Sequence, residues 1–203
     1  MSVAIENALA ELKKGKFILV CDDESREDEA DLIMAAQFVT SDKVNFMINN
    51  GRGLICVPLG TSTAKKLNLP LMVQDHVGTY ETAFTISVDF KKTHTGISSQ
   101  DRAMTISALG NTESVAEDFL RPGHIFPLIA WEEGVLVRAG HTEAAVDLMK
   151  LADLNPIAVL CETLSVDGVP LKGELLREFA SHFNIHIVSI TELIEFRRRK
   201  SIS

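Results

Sequence analysis

The sequence predicts an α+β fold: a single three-layer domain in which a mixed β-sheet is flanked by helices. Apolar runs of strand length alternate along the chain with segments of helical period. The turn signal Asp167-Gly168 sits between short alternating segments, so antiparallel pairing is expected and a purely parallel sheet is not. No repeat, low-complexity segment or Pro/Gly-rich linker divides residues 1–203, which are therefore read as one domain.

Ile5, Ala8, Leu9 and Leu12 recur at helical spacing, and Gly15 can end that helix. Phe17 to Cys21 reads as a buried strand. Ser41 can cap a helix whose inward face is Val44, Met47 and Ile48, with Gly51 after it. Gly53 to Val57 is the next strand, ended by Pro58, and Thr61 to Leu67 a short helix. Residues 70 to 82 are irregular and polar, which predicts a surface loop. Ala83 to Val88 reads as a strand, Thr93 to Asp101 as a loop and Asp101 to Leu109 as a helix. Residues 110 to 123 predict a connection with one short turn of helix. His124 to Ala130 and Gly134 to Arg138 are expected to pair as strands. Thr142 opens a helix with Ala145, Leu148, Met149 and Ala152 inward, and Ile157 to Cys161 is a strand. After the Asp167-Gly168 hairpin come a helix from Glu174 to Phe183, a strand from Ile185 to Val188 and a last helix from Thr191 to Arg199.

Composition excludes several classes. With 46% hydrophobic and 24% charged residues, the 203-residue chain can bury a sizeable core. Its formal net charge of -8 argues against nucleic-acid binding, which needs a basic face. No apolar run approaches the roughly 20 residues that span a bilayer, so no membrane association is expected. The opening Met1-Ser2-Val3-Ala4-Ile5 lacks the pattern of a signal peptide. Cys21, Cys56 and Cys161 lie in apolar runs without Cys-x-x-Cys spacing and read as reduced, buried thiols of a cytoplasmic protein. The basic end Arg197-Arg198-Arg199-Lys200 suits the C-terminus of a helix.

Charge concentrates in one place. Asp22-Asp23-Glu24-Ser25-Arg26-Glu27-Asp28-Glu29-Ala30-Asp31 holds seven carboxylates in ten residues, between two apolar runs that pin it to the rim of a core. Like charges so close either raise carboxyl pKa values or call for a counter-ion, and a hard divalent cation such as Mg²⁺ or Mn²⁺ fits oxygen ligands. A solvated acidic loop is the plainer alternative.

A second constellation is Arg138-Ala139-Gly140-His141-Thr142-Glu143, at the start of a predicted helix. Unpaired N–H groups and the helix dipole there suit a phosphate, with Arg138 and Thr142 adding contacts; helix capping by Thr142 alone is the alternative. His141 could ligate a metal or be structural. In Arg121-Pro122-Gly123-His124, Pro-Gly predicts a turn from which His124 emerges as a possible acid or base, or as a structural histidine. Glu162 ends an apolar strand, a setting for a raised pKa or for a merely exposed carboxylate.

Together these segments closely resemble the 3,4-dihydroxy-2-butanone 4-phosphate synthase family of riboflavin biosynthesis, from Phe17 to about Leu193. The motifs are the acidic run, Thr95-Gly96-Ile97-Ser98 followed by Asp101-Arg102, Arg121-Pro122-Gly123-His124, Arg138-x-Gly140-His141-Thr142-Glu143-Ala144, and Cys161-Glu162. Departures from the usual family pattern are Ser25, Asp28, Ala30 and Ser99, and none removes a chemical residue. Many bacterial members carry a C-terminal GTP cyclohydrolase II domain; this chain ends too soon for one, so the stand-alone form is expected.

The resemblance implies a carbon-carbon lyase that converts D-ribulose 5-phosphate to L-3,4-dihydroxybutan-2-one 4-phosphate and formate. It implies Mg²⁺ or Mn²⁺ as cofactor, a pair of ions in each site, with Glu27 and His141 as ligands. Arg26, Glu27, Asp31, Glu162 and the segment Arg138, Ala139, Gly140, His141 and Thr142 would hold the substrate. Arg138, Thr142 and Thr95 would lie at its phosphate, and His124 and Glu162 would be catalytic. It also implies a homodimer with shared active sites, in which His124 comes from the opposite subunit. Two other readings of the residues remain at this stage: a phosphosugar isomerase or epimerase, and a non-catalytic module that binds metal or phosphorylated ligands.

Overall fold

The computed structural model describes residues 3–23, 25–73 and 82–200. Seven strands form one sheet: β1 (Ile18–Cys21), β2 (Ala30–Ala35), β3 (Cys56–Gly60), β4 (Val88–Phe90), β5 (Phe119–Ala130), β6 (Ala158–Glu162) and β7 (His186–Ser189). Their order is β4-β5-β3-β6-β2-β1-β7. The pairs β1–β7 and β3–β5 are parallel and the others antiparallel, so the sheet is mixed, as expected.

Among the described residues, seven helices cover both faces: α1 (Val3–Lys13), α2 (Ser41–Phe46), α3 (Thr61–Lys66), α4 (Ser99–Leu109), α5 (His141–Leu151), α6 (Gly173–Phe183) and α7 (Ile190–Lys200). Strand residues alternate between the two cores. Leu19, Leu32, Met34, Val57 and Val159 pack with residues of α2, α3, α4 and α6. Ile18, Val20, Ile33, Ala35 and Leu160 pack with α1, α5 and α7. That is the three-layer arrangement. Each fully buried Leu or Ile contributes roughly 1.5–3 kcal/mol over an exposed one, which is why the central strands read as apolar runs. No helix among the described residues is long and apolar enough to cross a membrane.

Several local expectations need correction. Pro58 lies inside β3 rather than ending it; β3 pairs with β6 only at Cys56, so beyond that point a missing N–H is tolerated. Thr40, not Ser41, caps α2, accepting the Lys43 N–H at 3.3 Å. Ala83–Val88 is not one continuous strand: Phe84 and Thr85 make isolated bridges, and the strand proper starts at Val88. Pro122 and Gly123 make no turn. They lie within β5, which begins at Phe119, and Gly123 is there because a Cβ would overlap the Val88 and Asp89 backbone. Gly134–Leu136 is a 3-10 turn and pairs with no strand; Gly134 adopts φ +65° and the Asp147 carboxylate accepts the Val135 N–H at 2.9 Å. Of the predicted loop at 70–82, residues 74–81 lie outside the described residues, and Leu71 bridges Thr85. The Asp167-Gly168 turn is present, with Gly168 at φ +78° and Leu164 bridged to Pro170.

Candidate active site

The acidic run divides by position. Asp22 closes the loop from within: its Oδ2 accepts Arg26 Nη1 at 2.7 Å and the Glu27 N–H at 3.2 Å, and its Oδ1 accepts the Glu29 N–H at 3.0 Å. Arg26 Nη1 also reaches Glu27 Oε2 at 2.8 Å. The left-handed residue Asp28 turns away and pairs with Lys172 at 2.6 Å. Asp31 belongs to β2, is buried, and stands opposite Glu162 of β6. Like charges directly across a ladder repel, so this pairing works only if one is neutral or a cation is near.

Helix α5 delivers the complementary groups. Its N-cap is Gly140, with no side-chain cap, so the expected capping by Thr142 does not occur. A Cβ on Gly140 would crowd the Arg138 guanidinium. His141 opens the helix with its Nδ1 3.6 Å from Glu27 Oε2. His141 Nε2 and Asp31 Oδ1 are buried and have no hydrogen-bond partner among the described residues. Arg138 Nη1 donates to Glu143 Oε2, and its Nη2 to Thr82 Oγ1 at 3.0 Å. Glu143 is itself buried, and its Oε1 accepts the Trp131 N–H at 3.2 Å.

The electrostatics follow from this crowding. Burial, with Glu162, Glu29 and Glu27 nearby, raises the Asp31 carboxyl to about 7 against the opposing pull of His141. Burial alone would lower the His141 imidazole, but Asp31, Glu27 and Asp22 outweigh it and raise it to about 9. The neighbouring His141 imidazole and the charge of Arg26 hold Glu27 below its ordinary value despite burial. Burial raises Glu143, with Arg138 opposing it.

Asp22, Glu27 and His141 each offer a ligand atom, and the three atoms lie within 4.8 Å of one another. A buried polar atom without a partner costs about 1–3 kcal/mol, and a divalent cation would satisfy His141 Nε2 or Asp31 Oδ1. The donor set of oxygens and one imidazole fits Mg²⁺ or Mn²⁺.

Seven of the anticipated residues line one cleft of about 130 Å³: Arg26, Glu27, Asp31, Arg138, His141, Thr142 and Glu162. Glu29 and Thr82, which sequence reasoning did not single out, join them; Cys56, Phe84, Leu128 and Leu160 form the apolar floor. Glu162 is fixed by the Leu54 N–H at 2.8 Å, across a backbone approach that only Gly53 allows. Ala139 and Gly140, between Arg138 and His141, do not line the cleft. Nor do Thr95 and His124. His124 pairs with Asp89, and Gly96, next to Thr95, packs on both.

A family model described as 3,4-dihydroxy-2-butanone 4-phosphate synthase matches residues 6–196. The chain belongs to the 3,4-dihydroxy-2-butanone 4-phosphate synthase family. Riboflavin biosynthesis protein RibBA of Bacillus cereus (strain B4264) is 52% identical over 194 residues, covering 96% of this chain and 49% of that protein. Its counterpart in Bacillus mycoides (strain KBAB4) is 51% identical with the same coverage. The chain thus spans about half the length of the curated relatives it matches. Among solved structures, a 3,4-dihydroxy-2-butanone 4-phosphate synthase in complex with two magnesium ions is 38% identical, with TM-score 0.93 and 97% of each chain covered. The synthase of Candida albicans is 43% identical, with TM-score 0.87, covering 95% of this chain and 96% of that one. RibBX of A. baumannii, a two-domain member of the synthase family, is 41% identical, with TM-score 0.92, covering 95% of this chain and 57% of that one.

Proposed function

We propose that this chain, as one domain over residues 1–203, is the lyase that converts D-ribulose 5-phosphate to L-3,4-dihydroxybutan-2-one 4-phosphate and formate, in riboflavin biosynthesis in the cytoplasm. The observation that carries the reading is a single cleft holding Arg138 and Thr142 beside Glu27 and a buried His141 whose Nε2 has no partner among the described residues. The solved relative in complex with two magnesium ions supports Mg²⁺, or Mn²⁺ in its place, and a pair of ions per site.

On this reading Glu27 and His141 would hold the metal. When bound, the divalent cation supplies positive charge opposite substrate oxygens that become anionic once a proton beside the carbonyl is lost. The chain's own groups do the rest. Arg138, held by Glu143, and Thr142 at the start of α5 grip the phosphate, with Thr95 approaching it. Arg26 and Asp31 orient the sugar hydroxyls. Glu162, at the edge of the cleft, and His124 exchange protons during dehydration, skeletal migration and formate release. The protein works as a homodimer, and His124 and Thr95 reach the cleft of the opposite subunit; their absence from the lining within one chain supports this.

The deciding experiment is incubation with ribulose 5-phosphate and Mg²⁺. The expected result is formate in equal amount with a four-carbon phosphorylated ketone, abolished by Glu27→Ala or His141→Ala with the fold retained. Isomerised or epimerised pentose without formate would replace the reading with an isomerase, and unchanged substrate with a binding module.

A further inference from the structure

We propose that Asp89 is a positioning residue for His124, fixing its tautomer and aim so that Nε2 is the atom that accepts a proton. The inference rests on the reading of His124 as a proton-transfer group and adds what makes it one. Asp89 Oδ1 accepts the His124 backbone N–H at 2.9 Å, and Asp89 Oδ2 lies 2.7 Å from Nδ1. The Asp89 side chain is 9% exposed while that of His124 is 42% exposed, so the carboxylate is the buried anchor and the imidazole its outward face. An ionised carboxylate only accepts hydrogen bonds, so Nδ1 must carry the hydrogen. In the neutral ring that leaves the lone pair on Nε2.

Three features of the fold serve this pair. The register of β4 on β5 jumps between Val88 opposite Ile125 and Asp89 opposite Leu120, so Arg121 to His124 have no partner on β4. Such an irregularity re-aims a side chain, here bringing His124 back over Asp89. Gly123 N donates to Ser87 Oγ at 3.1 Å, which pins this unpaired stretch of β5. From the other side, Gly96 packs so closely on Asp89 and His124 that a Cβ there would overlap the carboxylate. Asp101 holds Gly96 in place, accepting the His94 N–H at 3.0 Å and the Gly96 N–H at 3.2 Å. Residues 87–89, the 94–101 segment and Gly123-His124 therefore converge on one hydrogen bond, which simple strand pairing would not require.

The test combines a spectroscopic readout with kinetics. In ¹⁵N-histidine-labelled protein at a pH where His124 is neutral, its Nδ1 should show the shift of a protonated nitrogen and its Nε2 that of an unprotonated one. Asp89→Asn cannot accept both N–H groups, since its single oxygen serves one and its NH₂ opposes the other. It should shift the ring toward the Nε2–H form and lower kcat by about 10²–10⁴-fold, with KM changed far less. An Nε2–H tautomer in the unmodified protein overturns the proposal and requires no variant to fold. So does Asp89→Asn with near-normal kcat while His124→Gln is inactive, which leaves the role of His124 intact. Full activity in His124→Gln removes the role of His124 itself, and the proposal falls with it.

Discussion

Glu143 is a carboxylate buried to 1% exposure, and its value lies in what it holds. One oxygen takes the Arg138 guanidinium and the other the Trp131 N–H, so the cation facing the cleft is set by a residue that does not line it. Glu143→Gln keeps the shape and removes the charge. A charge-assisted hydrogen bond exceeds a neutral one by about 1 kcal/mol or more, so KM for the phosphosugar should rise about tenfold with kcat changed less. Steady-state kinetics check this, and an unaltered KM would show that Arg138 keeps its place unaided. Asp22 is a comparable case. It follows the last residue of β1, and its two oxygens already accept three donors of its own loop, so it organises Glu27 more than it adds a ligand.

At the scale of elements, α5 carries the site on its first turn and fastens the chain that precedes it with its second. Asp147 is 2% exposed and accepts both the Val135 N–H at 2.9 Å and Arg197 Nη1 at 2.6 Å, tying the Gly134–Leu136 turn to α7. Arg197→Met leaves the Asp147 charge buried without its main partner. Stability should fall by about 2–4 kcal/mol in urea unfolding, with kcat/KM unchanged because neither residue touches the cleft. Elements governed by local pattern were legible: the apolar spacing of α1, the runs of β1 and β6, and the Asp167-Gly168 turn. What was not legible depended on remote partners. Pro122-Gly123 has the composition of a turn, yet it lies in β5 as a stretch without a β4 partner, pressed against the Val88 and Asp89 backbone. Gly134 to Arg138 has strand composition, yet it coils because Asp147, a helical turn beyond the visible motif, takes its amide. The site divides in the same way. Arg138, His141 and Thr142 sit in one short motif and Glu27 in another, so both were readable. Asp89 was not, since it lies 35 residues from His124 and nothing local in Ser87-Val88-Asp89-Phe90 announces a partner.

For the whole molecule, proton and metal occupancy of the cleft should be linked to stability. The folded chain holds a proton on Asp31 up to about pH 7 against an ordinary 3.8, and on His141 up to about pH 9 against 6.5. Both values are raised on folding, so the folded state binds more protons than the unfolded one, and stability falls as pH rises from about 4 to 9, through Asp31 first and His141 after it. On the proposed reading a divalent cation would take the place of those protons, so the gain in Tm from Mg²⁺ over EDTA should grow across the same window. A gain equal at both ends would separate the metal from these groups. The second prediction concerns assembly. A cleft of about 130 Å³ is small against the 300–1,000 Å³ usual for ligand sites, and His124 and Thr95 lie outside its lining. Leu54, Ile97 and Leu120 are 44%, 55% and 56% exposed. If the opposite subunit completes the cleft, Glu27→Ala and His124→Ala homodimers are each inactive. Their heterodimer then has one site carrying both lesions and one carrying neither. Random mixing makes about half the dimers heterodimers, so activity should return to roughly a quarter of the unmodified level. If His124 instead serves its own chain, every site in the mixture carries one lesion. Confirmed heterodimers without activity would therefore assign His124 to the cleft of its own subunit.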